Sequence, residues 1–339
     1  MTPKVSVVMP CRNALGTIDE AVQSILAQEM EDLELIVVDD GSTDQTAARL
    51  VRWGQLDPRV VVLRNAASGI IPALNVGIEA AKAPMIGRMD ADDIALPDRL
   101  AKQVAWLDEH PEVALVGCLV RAFPDEAVGE GFRAYVSWLN SLITAEDIAR
   151  EIFVESPLAH PSVVIRSQWL DRMGGYQDFG WPEDYDLWLR MHVGGAFFGK
   201  VPEHLLLWRE HSRRATRTDS RYSVENFLRA KARYLTLGPL KDREDVIVWG
   251  AGQMGRRLSK HLLKEGVQLL AFVDIDPKKI GREKRGRPII APEDLMSCWS
   301  QARRPALIVA VGSRGARQLI RARLQAMGLQ ETVDWWAAA

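Results

Sequence analysis

Two short runs of acidic residues stand directly after apolar segments in the first third of the 339-residue chain. Asp39 and Asp40 open the run Asp-Asp-Gly-Ser-Thr-Asp, and Asp90, Asp92 and Asp93 form the run Asp-Ala-Asp-Asp. Clustered carboxylates repel one another and resist the loss of water, and a divalent cation relieves both costs. Mg²⁺ and Mn²⁺ prefer such oxygen ligands and often keep phosphate oxygens in their shell. The runs therefore indicate a metal ion that bridges protein and diphosphate; the competing interpretation is that these acids only cap helices and form turns.

Strand and helix patterns alternate around the two runs. Apolar runs predict buried strands at residues 5–9, 35–38, 60–63 and 85–89. Apolar residues at helical spacing predict helices at residues 17–28, 44–53 and 73–81. Thr17 and Glu20 have the spacing of a capping box at the start of the first helix. This alternation predicts an α/β fold with a mostly parallel sheet, in which ligands lie beyond the carboxyl ends of the strands.

A second series of elements follows the first. A helix is predicted after residue 98, strands at 113–118 and 160–165, and a helix at 182–192. The polar stretch 236–245 contains Gly-Pro and is predicted to be a linker. Strands and helices resume after it, which predicts a second, smaller α/β unit. We therefore predict two domains, residues 1–238 and 239–339, as the length of the chain suggests.

Several groups of residues, taken in their order along the chain, resemble glycosyltransferase family 2, whose members have the GT-A fold. The likeness covers roughly residues 1 to 215. The groups that carry it are Val5–Pro10 with Arg12-Asn13, Val37–Asp44, Ala73-Leu74-Asn75-Val76-Gly77, Arg88–Asp93, Leu96–Leu100 with Gln103, His160-Pro161-Ser162, Gly174-Gly175-Tyr176 and Glu183-Asp184. The resemblance implies a GT-A nucleotide-diphospho-sugar transferase domain followed by a small Rossmann-like domain.

The same resemblance implies roles for single residues. Asp39 matches the acid that contacts the nucleobase, and Asp90 and Asp92 match the D-x-D motif, with Asp90 near the ribose and Asp92 on the metal. Asp93 would support the metal shell or the donor sugar. Pro10 and Arg12 would complete the donor-binding set.

Two residues further along the chain complete the implied site. Asp184 matches the catalytic base of inverting members. His211 matches a late basic or histidine residue near the diphosphate, and it would join Asp92 on the metal. The basic residue that many members carry just before the Ala-Leu-Asn segment is missing here, because the sequence reads Ser68-Gly69-Ile70-Ile71-Pro72.

These assignments predict a metal-dependent, inverting glycosyltransferase that uses manganese or magnesium. The donor would be a nucleotide sugar, a UDP-sugar before others, and the acceptor a saccharide or a lipid-linked molecule of surface polysaccharide or glycoconjugate biosynthesis. The alternatives are an NAD(P)-binding oxidoreductase and a non-catalytic nucleotide-sugar-binding regulatory protein. A sugar nucleotidylyltransferase would need a Gly-rich, Arg-containing loop after the first strand, where this chain has Pro10-Cys11-Arg12-Asn13.

A glycine-rich loop in the predicted second domain is another candidate binding site. Gly250, Gly252 and Gly255 form G-x-G-x-x-G between a predicted strand and a predicted helix, and Asp274 follows the next strand. This order is typical of a loop that binds a diphosphate at a helix N-terminus, with the acid on a ribose. The ligand could be NAD(P) or another nucleotide, including a nucleotide sugar, or the domain could be purely structural.

Composition excludes several other classes. The net charge is −2 with 26% charged residues, so no broad basic face for nucleic acid is expected. Three separated cysteines predict reduced thiols rather than disulfides or a zinc site. Neither a signal peptide nor a membrane-spanning segment is evident. We expect a cytoplasmic protein, either free or peripheral at the inner face of the membrane.

Overall fold

The computed structural model describes residues 2–66, 68–313 and 315–339, and these residues form two compact units. The first unit comprises the chain up to Ile148 together with Pro157–Phe179 and Asp186–Thr218. The second unit comprises Ala149–Ser156, Gly180–Tyr185 and Asp219–Ala339. The domain boundary between residues 238 and 239 stays a prediction.

The first unit is built on a mixed sheet that contains eight strands within the described residues. The strands are β1 (Val5–Cys11), β2 (Leu33–Asp39), β3 (Val60–Arg64), β4 (Met85–Arg88), β5 (Ile94–Ala95), β6 (Val113–Phe123), β7 (Val164–Arg166) and β8 (Phe197–Arg209). Their order is β3-β2-β1-β4-β7-β6-β8-β5. Strands β3, β2, β1 and β4 run parallel, whereas β7 is antiparallel to β4 and β6. The predicted α/β class is confirmed.

Helices surround this sheet. Those wholly or partly in the first unit are α1 (Ile18–Leu26), α2 (Thr46–Leu56), α3 (Ile70–Ala80), α4 (Arg99–Glu109), α5 (Glu130–Ser141), α6 (Ala145–Glu151), α7 (Ser167–Met173), α8 (Glu183–Val193) and α9 (Ala215–Thr218). Every residue of β1 and β2 is buried, as expected for central parallel strands covered on both faces. In α1 the apolar residues Ile18, Val22 and Ile25 are fully buried, which fixes the helix on the sheet.

Two local predictions were wrong. The capping box does not form: the Thr17 side chain accepts no cap hydrogen bond, and its hydroxyl donates to the carbonyl of Ala91 at 2.9 Å. The strand predicted at 160–165 is mostly absent, because His160–Ser162 form a 3₁₀ turn and β7 begins only at Val164. Pro161 lies in that turn, and a proline lacks the N–H that a central strand needs.

Strand β8 was not predicted, and it packs closely against α4. A Cβ atom built on Gly199 would lie 2.0 Å from the ring of Trp106, so only glycine fits there. The Trp106 ring also stacks on His110, with ring centroids 4.0 Å apart. At this point β8 and α4 are therefore in contact through the backbone of Gly199 and the indole ring of Trp106.

The second unit is built on a separate sheet of six strands within the described residues. The strands are β9 (Asp245–Trp249), β10 (Gln268–Val273), β11 (Glu283–Lys284), β12 (Arg287–Ile290), β13 (Ala306–Val309) and β14 (Trp335–Ala337), in the order β11-β12-β10-β9-β13-β14. Its longer helices are α10 (Val224–Leu237), α11 (Gln253–Lys264), α12 (Leu295–Gln301) and α13 (Ala316–Ala326). All pairings are parallel except that of β11 with β12.

The predicted linker at 236–245 overlaps regular structure at both ends, since α10 ends at Leu237 and β9 begins at Asp245. In the described part of the chain, none of the helices combines the length and the apolar character that crossing a bilayer requires.

Candidate active site

The carboxyl ends of β1, β2 and β4 meet at one edge of the sheet of the first unit, because the three strands run parallel. Pro10 and Cys11 end β1, Asp39 ends β2, and the acidic run from Asp90 follows β4. The fold therefore brings the predicted donor-binding groups to a single edge, which is where parallel sheets bind ligands.

Asp39 and Asp40 are both buried at this edge. Oδ1 of Asp39 accepts the N–H of Ser42 at 3.1 Å, and Oδ1 of Asp40 accepts the side-chain amide of Asn65 at 2.7 Å. The guanidinium of Arg12 lies 3.9 Å from Asp40, and 54% of the Arg12 side chain is exposed. Asp40 thus orders the surrounding loops, while Arg12 offers an exposed cation beside them.

Asp90, Asp92 and Asp93 form a compact acid cluster, in which one carboxylate oxygen from each residue lies within 4.8 Å of the others. Asp93 is 1% exposed, and its Oδ1 accepts the N–H of Arg209 at 2.7 Å. Its Oδ2 is buried and accepts no hydrogen bond from the described residues. A buried carboxylate oxygen without a partner is costly. A hard divalent cation fits this set, which offers only oxygen atoms.

Two basic side chains flank the other two carboxylates. The guanidinium of Arg88, the last residue of β4, contacts Asp90 and is almost completely buried. Nε2 of His211 lies 2.8 Å from Oδ2 of Asp92. The sequence prediction placed His211 in the site and gave Arg88 no role there, although a charged residue in an otherwise apolar strand directly before an acidic run is a usable signal.

The negative charges of the acid cluster repel one another. Burial, with the negative charges of Asp90 and Asp92, raises the pKa of Asp93 well above its usual range. Burial and Asp90 also raise the pKa of Asp92, although the hydrogen bond from His211 acts in the opposite direction. A bound divalent cation would favour the ionised carboxylates over the protonated ones.

The chain just after β8 is anchored on an aromatic pair. The Arg214 guanidinium carbon lies 4.8 Å from the ring centroid of Phe132 and 4.5 Å from that of Trp208, which are cation–π distances. Nη1 of Arg214 is also 3.3 Å from Oε2 of Glu210, which is buried. These contacts hold His211 in place beside the acid cluster. The contact with Phe132 could not be predicted from the sequence, because Phe132 is distant from Arg214 along the chain.

The predicted catalytic base, Asp184, lies in the first turn of α8, in the segment Gly180–Tyr185 of the second unit. Its Oδ1 accepts the N–H of Tyr185 at 2.7 Å. Its role as a base stays a prediction.

Two glycines of the glycine-rich loop in the second unit are closely packed. A Cβ on Gly250 would lie 2.7 Å from the carbonyl oxygen of Ala310, and one on Gly255 would lie 1.7 Å from the carbonyl oxygen of Gly250. A Cβ on Gly252, which caps α11, would meet no atom of the described residues within 4 Å. Two of the glycines therefore serve packing, and the third leaves open space at the helix N-terminus.

Both carboxylate oxygens of Asp274 are in contact with neighbouring groups of the second unit. Its Oδ2 accepts the N–H of Ala251 at 2.9 Å and lies 3.1 Å from Nζ of Lys279, and its Oδ1 accepts the N–H of Asp276 at 3.0 Å. The acid thus ties the glycine-rich loop to the end of β10. Nucleotide binding by this loop and the Rossmann-like assignment stay predictions.

Comparison with known protein families fits the arrangement of the first unit. Residues 6–172 match the model of glycosyl transferase family 2. The chain is 32% identical to the amylovoran biosynthesis glycosyltransferase AmsE of Erwinia amylovora over 56% of this chain and 69% of AmsE. It is 28% identical to the O-antigen biosynthesis glycosyltransferase WbnJ of Escherichia coli over 67% of this chain and 90% of WbnJ. The chain belongs to glycosyl transferase family 2 and is a glycosyltransferase.

Solved structures support the fold. S. aureus TarS 1-349, in complex with UDP-GlcNAc, aligns with a TM-score of 0.56 at 17% identity over 76% of this chain and 71% of TarS 1-349. The mannosyltransferase PcManGT of Pyrobaculum calidifontis, in complex with GDP-Man and Mn²⁺, aligns with a TM-score of 0.52 at 22% identity over 78% of this chain and 69% of PcManGT. Residues 242–332 match a separate family model described as C2185-like, N-terminal.

Proposed function

We propose that this glycosyltransferase takes its sugar from a nucleoside diphosphate sugar and requires a divalent cation, manganese or magnesium, held by the acid cluster. The observation that carries the proposal is the buried, unpartnered Oδ2 of Asp93 beside the carboxylates of Asp90 and Asp92. Such an arrangement is stable only when a cation or a proton accompanies it.

The contacts described above suggest which residues would form the donor site. Asp90, Asp92 and Asp93 would hold the cation, and His211 would serve either as a further ligand or as the group that orients Asp92. The cation, when bound, supplies Lewis-acid neutralisation of the diphosphate leaving group. Asp39 would accept a hydrogen bond from the nucleobase at the end of β2.

Pro10 and Arg12 would complete this site. Pro10 lies buried near the end of β1, where its ring can border the donor without competing for hydrogen bonds. The exposed guanidinium of Arg12 would face the negative charge of the diphosphate.

We assign proton removal to Asp184. Its carboxylate would take the proton of the acceptor hydroxyl while that oxygen attacks the anomeric carbon and the bond to the diphosphate breaks. One displacement of this kind inverts the anomeric centre. Asp184→Asn should therefore retain donor binding and lose turnover; near-normal turnover would remove Asp184 from the mechanism.

The names of the relatives and of the similar structures support a proposal for the substrate class. AmsE and WbnJ are named for amylovoran and O-antigen biosynthesis. The structures of similar fold contain UDP-GlcNAc or GDP-Man with Mn²⁺. We therefore propose a UDP-sugar donor first and a GDP-sugar second, with a saccharide or lipid-linked acceptor of surface polysaccharide synthesis.

The deciding experiment measures donor binding and donor hydrolysis with UDP-GlcNAc, UDP-glucose and GDP-mannose, each with Mn²⁺ or with EDTA. Wild type is compared with Asp92→Ala and with Asp108→Ala, which removes an exposed acid from α4 outside the cluster. One donor should bind only with Mn²⁺, and only Asp92→Ala should lose it. Equal binding by wild type and Asp92→Ala would refute the role of the cluster.

The same assay separates the alternatives. An added arm titrates NAD(H) and NADP(H) in the absence of sugar nucleotides. Binding of a dinucleotide together with no donor binding would favour the oxidoreductase interpretation. Donor binding without hydrolysis or transfer under any condition would favour a regulatory protein.

A further inference from the structure

The residue just before the proposed base is clamped by a tyrosine. Glu183 begins α8 and is 1% exposed. Both of its carboxylate oxygens lie 2.9 Å from the hydroxyl of Tyr222, and the guanidinium of Arg221 lies 3.6 Å from one of them. A buried carboxylate needs such donors, because the protein interior solvates it poorly.

The residue just after the proposed base is also fixed. Tyr185 is fully buried, and its hydroxyl donates to the carbonyl of Ile152 at 2.7 Å. Its ring centroid lies 5.4 Å from that of Phe227. The N–H of Tyr185 donates to the carboxylate of Asp184. Asp184 therefore stands between two neighbours whose side chains are both tied to the second unit.

We propose that Tyr222 and Glu183 are positioning residues that set the orientation of the Asp184 carboxylate. The proposal rests on the role of Asp184 as the base. The Tyr222 hydroxyl satisfies Glu183, Glu183 holds the first turn of α8, and this turn carries Asp184. Neither Tyr222 nor Glu183 is assigned a contact with substrate.

The tyrosine is suited to this task at every working pH. Burial, followed by the negative charges of Glu183 and Asp184, raises the pKa of Tyr222 far above its usual range. The phenol therefore stays protonated and remains a donor. Without the hydroxyl, Glu183 would lose a donor that reaches both of its oxygens, and the helix turn would shift to find water or another partner.

The first test removes one atom. Tyr222→Phe should increase amide hydrogen exchange in residues 183–187, measured by mass spectrometry on the full-length protein. Tyr234→Phe is the matched control, because it also removes one tyrosine hydroxyl from the second unit, in α10. Exchange as slow in Tyr222→Phe as in Tyr234→Phe would overturn the proposal.

The second test is kinetic, with the donor selected above and Mn²⁺. Tyr222→Phe should lower kcat about tenfold to a hundredfold, the range that a small misplacement of a catalytic group produces. The KM for the donor should stay the same. Glu183→Gln, which keeps the length of the side chain and one acceptor oxygen, should retain more activity than Glu183→Ala.

A double variant separates positioning from general damage. The residual turnover of Asp184→Asn should not fall further when Tyr222→Phe is added, because Tyr222 acts only through Asp184. A further loss there would mean a structural role instead. If Asp184→Asn itself keeps normal turnover, the assignment of the base is wrong; if it is inactive while Tyr222→Phe equals Tyr234→Phe, only the positioning role fails.

Discussion

Nε2 of His211 lies 2.8 Å from Oδ2 of Asp92, and this contact links the chain after β8 to the acid cluster. Nδ1 of the same ring accepts the backbone N–H of Arg213 at 3.2 Å. A neutral imidazole has one donor and one acceptor nitrogen, so Nε2 carries the proton and donates to Asp92. In this arrangement His211 acts as the orienting partner of Asp92.

His211→Ala should weaken binding of Mn²⁺ about tenfold to a hundredfold, because loss of a group that orients a ligand typically has that effect. Isothermal titration calorimetry with Mn²⁺ measures it directly. Arg213→Gln is the control, since it keeps the backbone N–H that His211 accepts and changes only an exposed side chain. Unchanged Mn²⁺ affinity in His211→Ala would show that the contact with Asp92 has no part in metal binding.

Lys200 should make the stability of the protein depend on pH. It is 2% exposed, and its Nζ donates to the carbonyls of Leu139 and Pro157 at 2.6 and 3.2 Å. Burial lowers the pKa of Lys200 to about 7. In the unfolded chain the pKa of a lysine is about 10.4.

Between these two pH values the unfolded state binds the proton and the folded state does not. The free energy of unfolding should therefore rise with pH from about 7 to about 10.4, by at most about 1.4 kcal/mol per pH unit. Below pH 7 both states are protonated, so the pH dependence due to Lys200 ends there, while the full cost of burying its charge remains. Denaturant unfolding at pH 7, 8 and 9 should show a smaller rise for Lys200→Met than for wild type or for Lys241→Met, which alters an exposed lysine. Identical slopes in all three proteins would contradict the prediction.

Gly255→Ala should destabilise the second unit. The added Cβ would lie 1.7 Å from the carbonyl oxygen of Gly250, so the backbone must move. Overpacking of this kind costs about 1–3 kcal/mol, which outweighs the helix preference of alanine of about 1 kcal/mol.

Gly252→Ala is the matched change, because its Cβ would meet nothing within 4 Å among the described residues. Chemical denaturation should place the unfolding midpoint of Gly255→Ala clearly below that of Gly252→Ala. Equal midpoints would mean that the carbonyl oxygen of Gly250 does not pack closely against Gly255 in α11.

The central strands and both acidic runs could be predicted from the sequence, because their signals are local. Buried parallel strands appear as unbroken apolar runs, as in β1 and β2. By contrast, β8 has exposed residues at 202–204 in its middle, and its pairing with β6 contains register shifts. Such a strand is defined by its distant partner and not by its own pattern.

The same distinction applies to the site. The carboxylates of the cluster and the partner His211 could be predicted from residue type and spacing, whereas the partner Arg209 could not. Arg209 reaches the site from the end of β8, more than 110 positions along the chain from Asp93. Contacts of that separation depend on the completed fold and leave no trace in local periodicity.

The close approach of Gly199 to the Trp106 ring has an evolutionary consequence. Any larger residue at position 199 would collide with the indole, so it could be accepted only after position 106 had become smaller. The two positions are therefore expected to change together among relatives: glycine should accompany a large aromatic residue, and a bulkier residue at 199 should accompany a small one at 106. Coupled variation at positions 199 and 106 would indicate that relatives keep the same close packing of β8 on α4.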